Sequence, residues 1–363
     1  MTFPVNGDEK PAGMNVVINK RIGRSYMGIA GNSVSITRRT YLWDEYGRPV
    51  ITSEQSAIYA VKKIVDMMGR LMRSKGDLFK VSSAGLVLQD DLAQQFRTCL
   101  KADLAKIARH FPAHRHSPLF TIFKRFSAPV RFKCSGRLIA EDVAPLNAAV
   151  AKMRAFTKGA ALGTALANMR RAERKNRSST RELLHQLRQG YSKLLIIRLD
   201  LGYFSKILTD LGFCAQDLPI SEVQRHRDAF VTYLRNGPYS KDLAGYIWRL
   251  EYGLEKGSHF HMAIFFDGQE LAKDITIADA LGHYWKNFVT GGNGMYFSCN
   301  KNKEAYERCG IGMVARNDDM AWANVEEAMF YLTKQDYYLR FRPAKGTRTF
   351  GSGGPYGGVQ SVE

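Results

Sequence analysis

Residues 246–266 read YIWRLEYGLEKGSHFHMAIFF, two apolar-alternating runs on either side of a short polar break that contains Gly257. This pattern is typical of a β-hairpin, with His259 and His261 at the start of its second strand. Because side chains two residues apart in a strand point the same way, we expect one face of this strand to carry both histidines. The other face is predicted to be apolar and comprises Phe260, Met262, Ile264 and Phe266.

Glu251, in the first strand of the hairpin, is the candidate third polar group. If the turn is centred near Lys256, antiparallel pairing sets Gly253 opposite His259 and Glu251 opposite His261, on the same face. Two imidazole nitrogens and a carboxylate oxygen suit a divalent ion with open positions for water or substrate. A His-x-His pair alone is more often an ordinary surface pair. The glutamate across the hairpin and the apolar reverse face favour the metal site.

The composition indicates a globular protein that attracts polyanions. The 363 residues are 45% hydrophobic and hold 53 Lys plus Arg against 34 Asp plus Glu, a formal charge of +19. Nucleic acid is the first expected partner and an anionic membrane surface the second, but no basic amphipathic helix stands beside a hydrophobic anchor. No apolar run reaches the roughly 18 residues of a membrane span. The start, MTFPVNGDEKP, is no signal peptide, so we expect a cytoplasmic protein without a membrane partner. The five cysteines form no CxxC pair and favour free thiols.

The N-terminal region, residues 1–190, is predicted to be mainly helical. Short alternating runs at Asn15–Asn19 and Ser33–Thr37 indicate small strands. Helical spacing of apolar residues follows from Ser53, a plausible N-cap, to about Met72, and a second helix is predicted from Asp90 to His110.

Residues 143–190 are also predicted to be helical and carry a basic segment at 170–181. A basic helix face is usually only solvated, but in a chain this basic a grip on phosphates is about equally favoured. The domain boundary is placed at Gln189–Gly190. The candidate DNA-binding residues of this segment are Arg170, Arg171, Arg174, Lys175 and Arg177, with Arg181 completing the basic cluster.

A second His-x-His pair, His114–His116, serves as an internal control. It follows Pro112, its central residue is Arg115, and no alternating run surrounds it. We predict a loop in a basic surface and not a metal site.

The second domain is predicted to span 191–345, with a Gly-rich flexible tail at 346–363. Its first strand, 191–201, places Arg198 and Asp200 on one face, opposite four apolar residues. A helix at about Val223–Asn236 and the hairpin follow. The prediction is an α+β domain: an antiparallel sheet with helices packed on one face and a polar, basic second face. Arg198 and Arg249 on the polar face are further candidate DNA-binding residues.

The last strong element is 324–341, NVEEAMFYLTKQDYYLRF, predicted to be a helix that Asn324 caps with Glu327 in the capping-box position. Tyr331 lies on the flank of its apolar stripe and Lys334 on the same side. From the helix alone, a boundary tyrosine and a solvated lysine are the better interpretation. Beside a metal site in a basic protein, a nearby cation favours the phenolate, and attack on a phosphodiester becomes feasible.

His259-Phe260-His261 followed by Tyr331-Leu332-Thr333-Lys334 resembles the HUH endonucleases, which include rolling-circle replication initiators. More closely, RLEYG, KGSHFHMAIFFDG and YLTKQDYYLR are similar to the inovirus (filamentous phage) gene-two replication proteins and the related YagK/YfjJ proteins, over roughly residues 190–345. The resemblance implies an HUH-type catalytic domain and a Mg or Mn ion held by His259, His261 and an acidic residue matched by Glu251. It also implies Tyr331 as the nicking nucleophile that becomes joined to a 5′ phosphate, and Lys334 as its basic partner.

Some relatives of this kind use two tyrosines, and Tyr338, seven residues after Tyr331, is kept as a possible second nucleophile. The chain has no GxxxxGK[ST] loop, so unwinding would fall to a host helicase.

These observations predict a metal-dependent DNA-nicking and strand-transfer enzyme that initiates rolling-circle replication at an origin presented as single-stranded DNA or a hairpin. Two alternatives stay open: a zinc-type metallohydrolase using the same His/His/Glu site, and a nucleic-acid-binding regulator with an inactive site. A relaxase or transposase would use the same chemistry.

Overall fold

A computed structural model describes residues 42–43, 49–50, 53–111, 114–134, 136–204, 206–208, 212–214, 218–253, 257–334, 338–342 and 346–356. The strands predicted at Asn15–Asn19 and Ser33–Thr37 lie outside these residues. None of the helices in the described part of the chain combines the length and the apolar content that a membrane span requires.

The N-terminal region is mainly helical, as predicted. Its helices are α1 (Ser53–Arg73), α2 (Asp91–Leu100), α3 (Leu104–His110), α4 (Pro118–Ser127), α5 (Ala140–Lys158) and α6 (Ala160–Gly190). Its short strands are β1 (Leu42–Trp43), β2 (Pro49–Val50), β3 (Phe79–Val81), β4 (Val87–Gln89) and β5 (His114–His116). A 3₁₀ segment, Ala128–Cys134, follows α4. The helices pack around one apolar cluster, in which Phe96, Phe123 and Met68 are completely buried.

The remaining elements build a six-stranded antiparallel sheet with flanking helices. The six strands of this sheet are β6 (Lys193–Tyr203), β9 (Leu243–Gly253), β10 (Gly257–Asp267), β11 (Gly294–Ser298), β12 (Gly312–Ala315) and β14 (Phe350–Gly353). Outside it, β7 (Lys206–Leu208) pairs with β8 (Gly212–Cys214), and β13 (Leu339–Phe341) pairs with β5. The helices are α7 (Ile220–Asn236), α8 (Asp274–Tyr284) and α9 (Asp319–Thr333). The order in the sheet is β11-β6-β10-β9-β14, with β12 also paired to β6. The predicted α+β class is confirmed.

The sheet is covered by helices on both faces, whereas the sequence predicted one. The predicted apolar face packs against α7 and α8, and Phe260, Met262, Ile264 and Phe266 are all buried there. The opposite face packs its Ile196, Ala263 and Phe265 against α6 and α9. Burying a large apolar side chain stabilises the fold by about 1.5–3 kcal/mol, so both clusters hold the strands in register. The polar residues of the second face therefore lie beside a helix-covered core.

Three local predictions about the chain path are corrected. The helix predicted from Asp90 to His110 is two helices, because Asp103 accepts a 2.8 Å hydrogen bond from Lys106 N and caps a new start. The second His-x-His pair forms strand β5, which pairs with β13, and is not a loop. The Gly-rich segment predicted to be a flexible tail forms β14 and pairs with β9, while residues 357–363 lie outside the described part.

Candidate metal centre and nucleophile helix

The hairpin brings Glu251, His259 and His261 together. One ligand atom from each residue lies within 4.8 Å of the ligand atoms of the other two. Among the described residues, these three form the one group of His, Cys, Asp or Glu side chains close enough to share a metal ion. Their exposed fractions are 5%, 6% and 4%. Glu251 lies opposite His259, and not opposite His261 as predicted, because Gly253 pairs with Gly257, two residues before its predicted partner His259. A shift of two residues keeps every side chain on its predicted face, so the cluster survives the correction.

Both histidines are oriented through Nδ1. His259 Nδ1 lies 3.0 Å from the Gly257 carbonyl oxygen and His261 Nδ1 lies 2.5 Å from Asp200 Oδ1. Each ring therefore offers Nε2 to the cluster, and His261 Nε2 lies 3.4 Å from Glu251 Oε2. Metal-bound histidines are usually held in this way, by a carbonyl or carboxylate on the other ring nitrogen. The donor set of two nitrogens and one carboxylate oxygen can hold a divalent ion.

Asp200 is the functional residue whose role the sequence reasoning missed. The sequence placed it on the polar face of β6, and the structure pairs it directly with His261 across β6 and β10. Burial opposes a proton on His261, but the carboxylates of Asp200 and Glu251 outweigh that cost and raise the pKa of His261. The two carboxylates therefore make this buried cluster electrostatically favourable for a cation.

Arg249 connects the cluster to α9. Its Nε donates to Glu251 Oε1 over 2.6 Å, and its Nη1 donates to the Leu332 carbonyl oxygen over 3.0 Å. The first contact leaves Glu251 Oε2 on the side of His261. The second satisfies a carbonyl in the last turn of the helix, where backbone acceptors lack helical partners. Arg249, assigned to DNA from the sequence, thus has two partners inside the protein.

Helix α9 carries Tyr331 in its last turn. The helix begins earlier than predicted, since Asp318 and not Asn324 caps it by accepting a 2.9 Å bond from Ala321 N. Tyr331 is half-buried, and the exposed Lys334 at the C-cap holds its Nζ 5.7 Å from the ring centroid. The predicted juxtaposition of tyrosine and lysine is therefore present at the helix end.

Arg198 is a second cation near Tyr331. Its side chain is 14% exposed and its Nε lies 3.8 Å from Asp200 Oδ1. Burial lowers the pKa of Arg198, but Asp200, and more weakly Cys299, Tyr306 and Tyr331, act in the opposite direction, so that the pKa is raised. Tyr331 thus contributes to the electrostatic field at this largely buried guanidinium. Arg198 lies on the sheet face that carries Glu251, His259 and His261, which we call the metal-centre face.

A family model, the YagK/YfjJ C-terminal domain, matches residues 157–352, more than half of the chain. The chain belongs to the YagK/YfjJ C-terminal domain family. No curated protein and no solved structure matches it. The YagK/YfjJ domain begins just before α6 and ends within β14. It therefore includes α6 and β14, which the sequence prediction placed outside the second domain at residues 191–345.

The basic segment lies on α6, within the YagK/YfjJ domain. Arg177 and Arg181 place their guanidinium groups 4.3 and 5.3 Å from the ring centroid of Phe330, the neighbour of Tyr331 on α9. The predicted DNA-binding side chains of α6 are all exposed: Arg170, Arg171, Arg174, Lys175 and Arg177. The basic face therefore borders the helix that carries Tyr331.

Tyr338 does not share a helix with Tyr331. Helix α9 ends at Thr333, and Tyr338 is buried in the N-terminal apolar cluster, with its hydroxyl donating to Asp66 over 2.9 Å. The predicted common helix face is wrong. An engaged and buried hydroxyl is a poor candidate for a second nucleophile.

Proposed function

We propose that this chain is a metal-dependent DNA-nicking and strand-transfer enzyme of the HUH type, which initiates rolling-circle replication in the manner of inovirus gene-two proteins. The observation that carries the proposal is the position of Tyr331 on α9. Arg249 hydrogen-bonds to this helix at the Leu332 carbonyl oxygen and also to the carboxylate of Glu251, so it connects the helix to the candidate metal centre. If the His261–Asp200 pair had a structural role alone, it would require neither a tyrosine nucleophile nor the neighbouring cations Lys334 and Arg198.

In the proposed reaction the Tyr331 oxygen attacks a phosphodiester phosphorus. A Tyr–O–P bond forms, the bond from phosphorus to the 3′ oxygen breaks, and the released 3′ oxygen takes up a proton. The 5′ phosphate stays on Tyr331 as an ester that a later hydroxyl can attack, so strand transfer needs no ATP. A Mg or Mn ion bound by Glu251, His259 and His261 supplies positive charge to a phosphate oxygen.

The protein's own groups have three tasks in this scheme. Lys334 and Arg198 stabilise the Tyr331 phenolate, because opposite charge favours the ionised form. Asp200 and the Gly257 carbonyl hold the two imidazoles in one tautomer. The exposed arginines and lysine of α6 bind the phosphates of a DNA strand that approaches Tyr331 along the Phe330 side.

The experiment is intact-mass analysis after incubation with Mn²⁺ and single-stranded oligonucleotides that tile the DNA flanking the gene. We expect a mass increase equal to the 3′ fragment of one oligonucleotide, mapped to Tyr331 by proteolysis. Tyr331→Phe should abolish the adduct. Tyr296→Phe is the matched control, since its hydroxyl instead contacts Asp279 at 3.3 Å.

Two other outcomes would replace this proposal. Phosphodiester cleavage that survives Tyr331→Phe would favour a metallohydrolase using the same three ligands. Salt-sensitive DNA binding with no cleavage in Mg²⁺ or Mn²⁺ would favour a regulator with an inactive site. An adduct on Tyr338 would restore that residue as a nucleophile.

A further inference from the structure

Strand β6 extends the metal-centre face beyond Asp200. Gly202, two residues on, borders the cluster, since a Cβ placed on it would lie 3.6 Å from His259 Cβ and 3.5 Å from Met295 Cγ. Phe204 follows after two more residues, about 6.7 Å further along the chain. Its backbone N–H donates to the Asn293 carbonyl over 3.0 Å and prolongs the ladder. Alternation therefore places Phe204 on the metal-centre face, one step past His259.

Phe204 and Met295 are unusually exposed for their position. Their exposed fractions are 47% and 39%, and Gly202, which lies opposite Met295, adds no side chain that would cover it. Lys286 holds its Nζ 5.5 Å from the centroid of the Phe204 ring. Single exposed apolar residues are common on protein surfaces. Two of them beside a metal centre, with a lysine against the phenyl ring, require a more specific explanation.

We propose that Phe204, Met295 and Lys286 form a stacking platform for one unpaired base of a single-stranded nucleic acid. A phenyl ring stacks on any nucleobase, and an adjacent ammonium pairs with the backbone phosphate. A base inside a duplex has both faces covered by its neighbours and cannot use such a platform. The strand is therefore unpaired next to the phosphate that lies at His259.

This inference rests on the proposed function for its substrate class and deepens it by naming the residues that hold one base beside the metal centre. The excess of positive charge on the chain supports a polyanion as the occupant. The ammonium group of Lys286 suits a backbone phosphate beside the Phe204 ring. Because stacking makes no contact with the base edges, we expect little sequence preference.

The test is binding of a fluorescent (dT)₂₀ oligonucleotide, and of a 20-residue abasic strand with the same phosphates, measured by anisotropy in EDTA with the full chain. Phe204→Ala should weaken binding of (dT)₂₀ roughly tenfold and leave the abasic strand unchanged. Phe204→Trp should restore tight binding of (dT)₂₀. Met320→Ala, which shortens a residue that is 79% exposed at the start of α9, should change neither ligand.

Equal affinity of Phe204→Ala and the wild type for (dT)₂₀ would overturn the platform, as would an equal loss on both ligands. Phe204→Leu, which keeps the apolar bulk, and the thermal midpoint of each variant separate lost stacking from lost folding. Binding in EDTA requires neither metal nor cleavage. A missing Tyr331 adduct would therefore refute the proposed nicking and leave the platform standing, and an adduct without a Phe204 effect would do the reverse.

Discussion

Removal of the Asp200 carboxylate should weaken metal binding without removing a metal ligand. Asp200 Oδ1 accepts a hydrogen bond from His261 Nδ1 at 2.5 Å, on a side chain that is only 16% exposed. Loss of such an outer partner lowers metal affinity by about 10- to 100-fold, or about 1.4–2.7 kcal/mol. Asp200→Asn keeps an acceptor and loses the charge, so it belongs at the lower end of this range. Asp200→Leu loses both and belongs at the upper end.

The assay is titration of the metal-free protein with Mn²⁺, followed by calorimetry or by the electron paramagnetic resonance signal of free Mn²⁺. Asp228→Asn is the control, because Asp228 pairs with Arg227 on the surface and is 66% exposed. Urea denaturation of each variant shows whether it is folded, since Asp200 also lies 3.8 Å from Arg198. Wild-type Mn²⁺ affinity in a folded Asp200→Leu protein would refute the assigned role of this carboxylate.

Three further predictions test neighbouring parts of the structure. Arg249→Met should keep the Mn²⁺ affinity within a few-fold of wild type, because the Glu251 carboxylate remains. It should slow adduct formation about tenfold or more, because α9 loses its hydrogen bond to the sheet. An unchanged rate of adduct formation would contradict this. Burial raises the pKa of the Cys99 thiol to about 12, against a weaker lowering effect of Lys63. This thiol should therefore not react with a disulfide reagent at pH 8 until the protein is unfolded. Rapid labelling of the native protein would contradict this. Gly351→Ala should lower the free energy of unfolding by about 1–3 kcal/mol in urea, because its Cβ would lie 2.6 Å from the Trp248 ring; a stability equal to wild type would mean that β14 is not packed as described.

The sequence was sufficient for the hairpin and for the sorting of its side chains, because alternation is a local property of the strand. It placed Phe260 on the apolar face and His259, His261 and Glu251 on the other, and these assignments are confirmed. The register was wrong by two residues, since alternation fixes the face of a side chain but not the residue that lies opposite it. The error changed the partner of each residue but not its face.

The role of Asp200 could not be predicted from local pattern. Asp200 and His261 are 61 residues apart, and only the pairing of β6 with β10 makes them neighbours. The same limit explains β14, whose glycines and serine disfavour a strand in isolation. Pairing with β9 and contact with Trp248 outweigh that weak preference. Tyr338 was misplaced because its seven-residue distance from Tyr331 is close to two helical turns, whereas the helix itself ends at Thr333.

Helix α6 has a mechanical consequence for the molecule. Its 31 residues span about 46 Å, with Leu162 embedded in the N-terminal core and Leu187 in the core beneath the sheet. The exposed arginines at 170–177 lie on the stretch between these two anchors. A force applied to that stretch is therefore transmitted to both cores, one at each end of the helix.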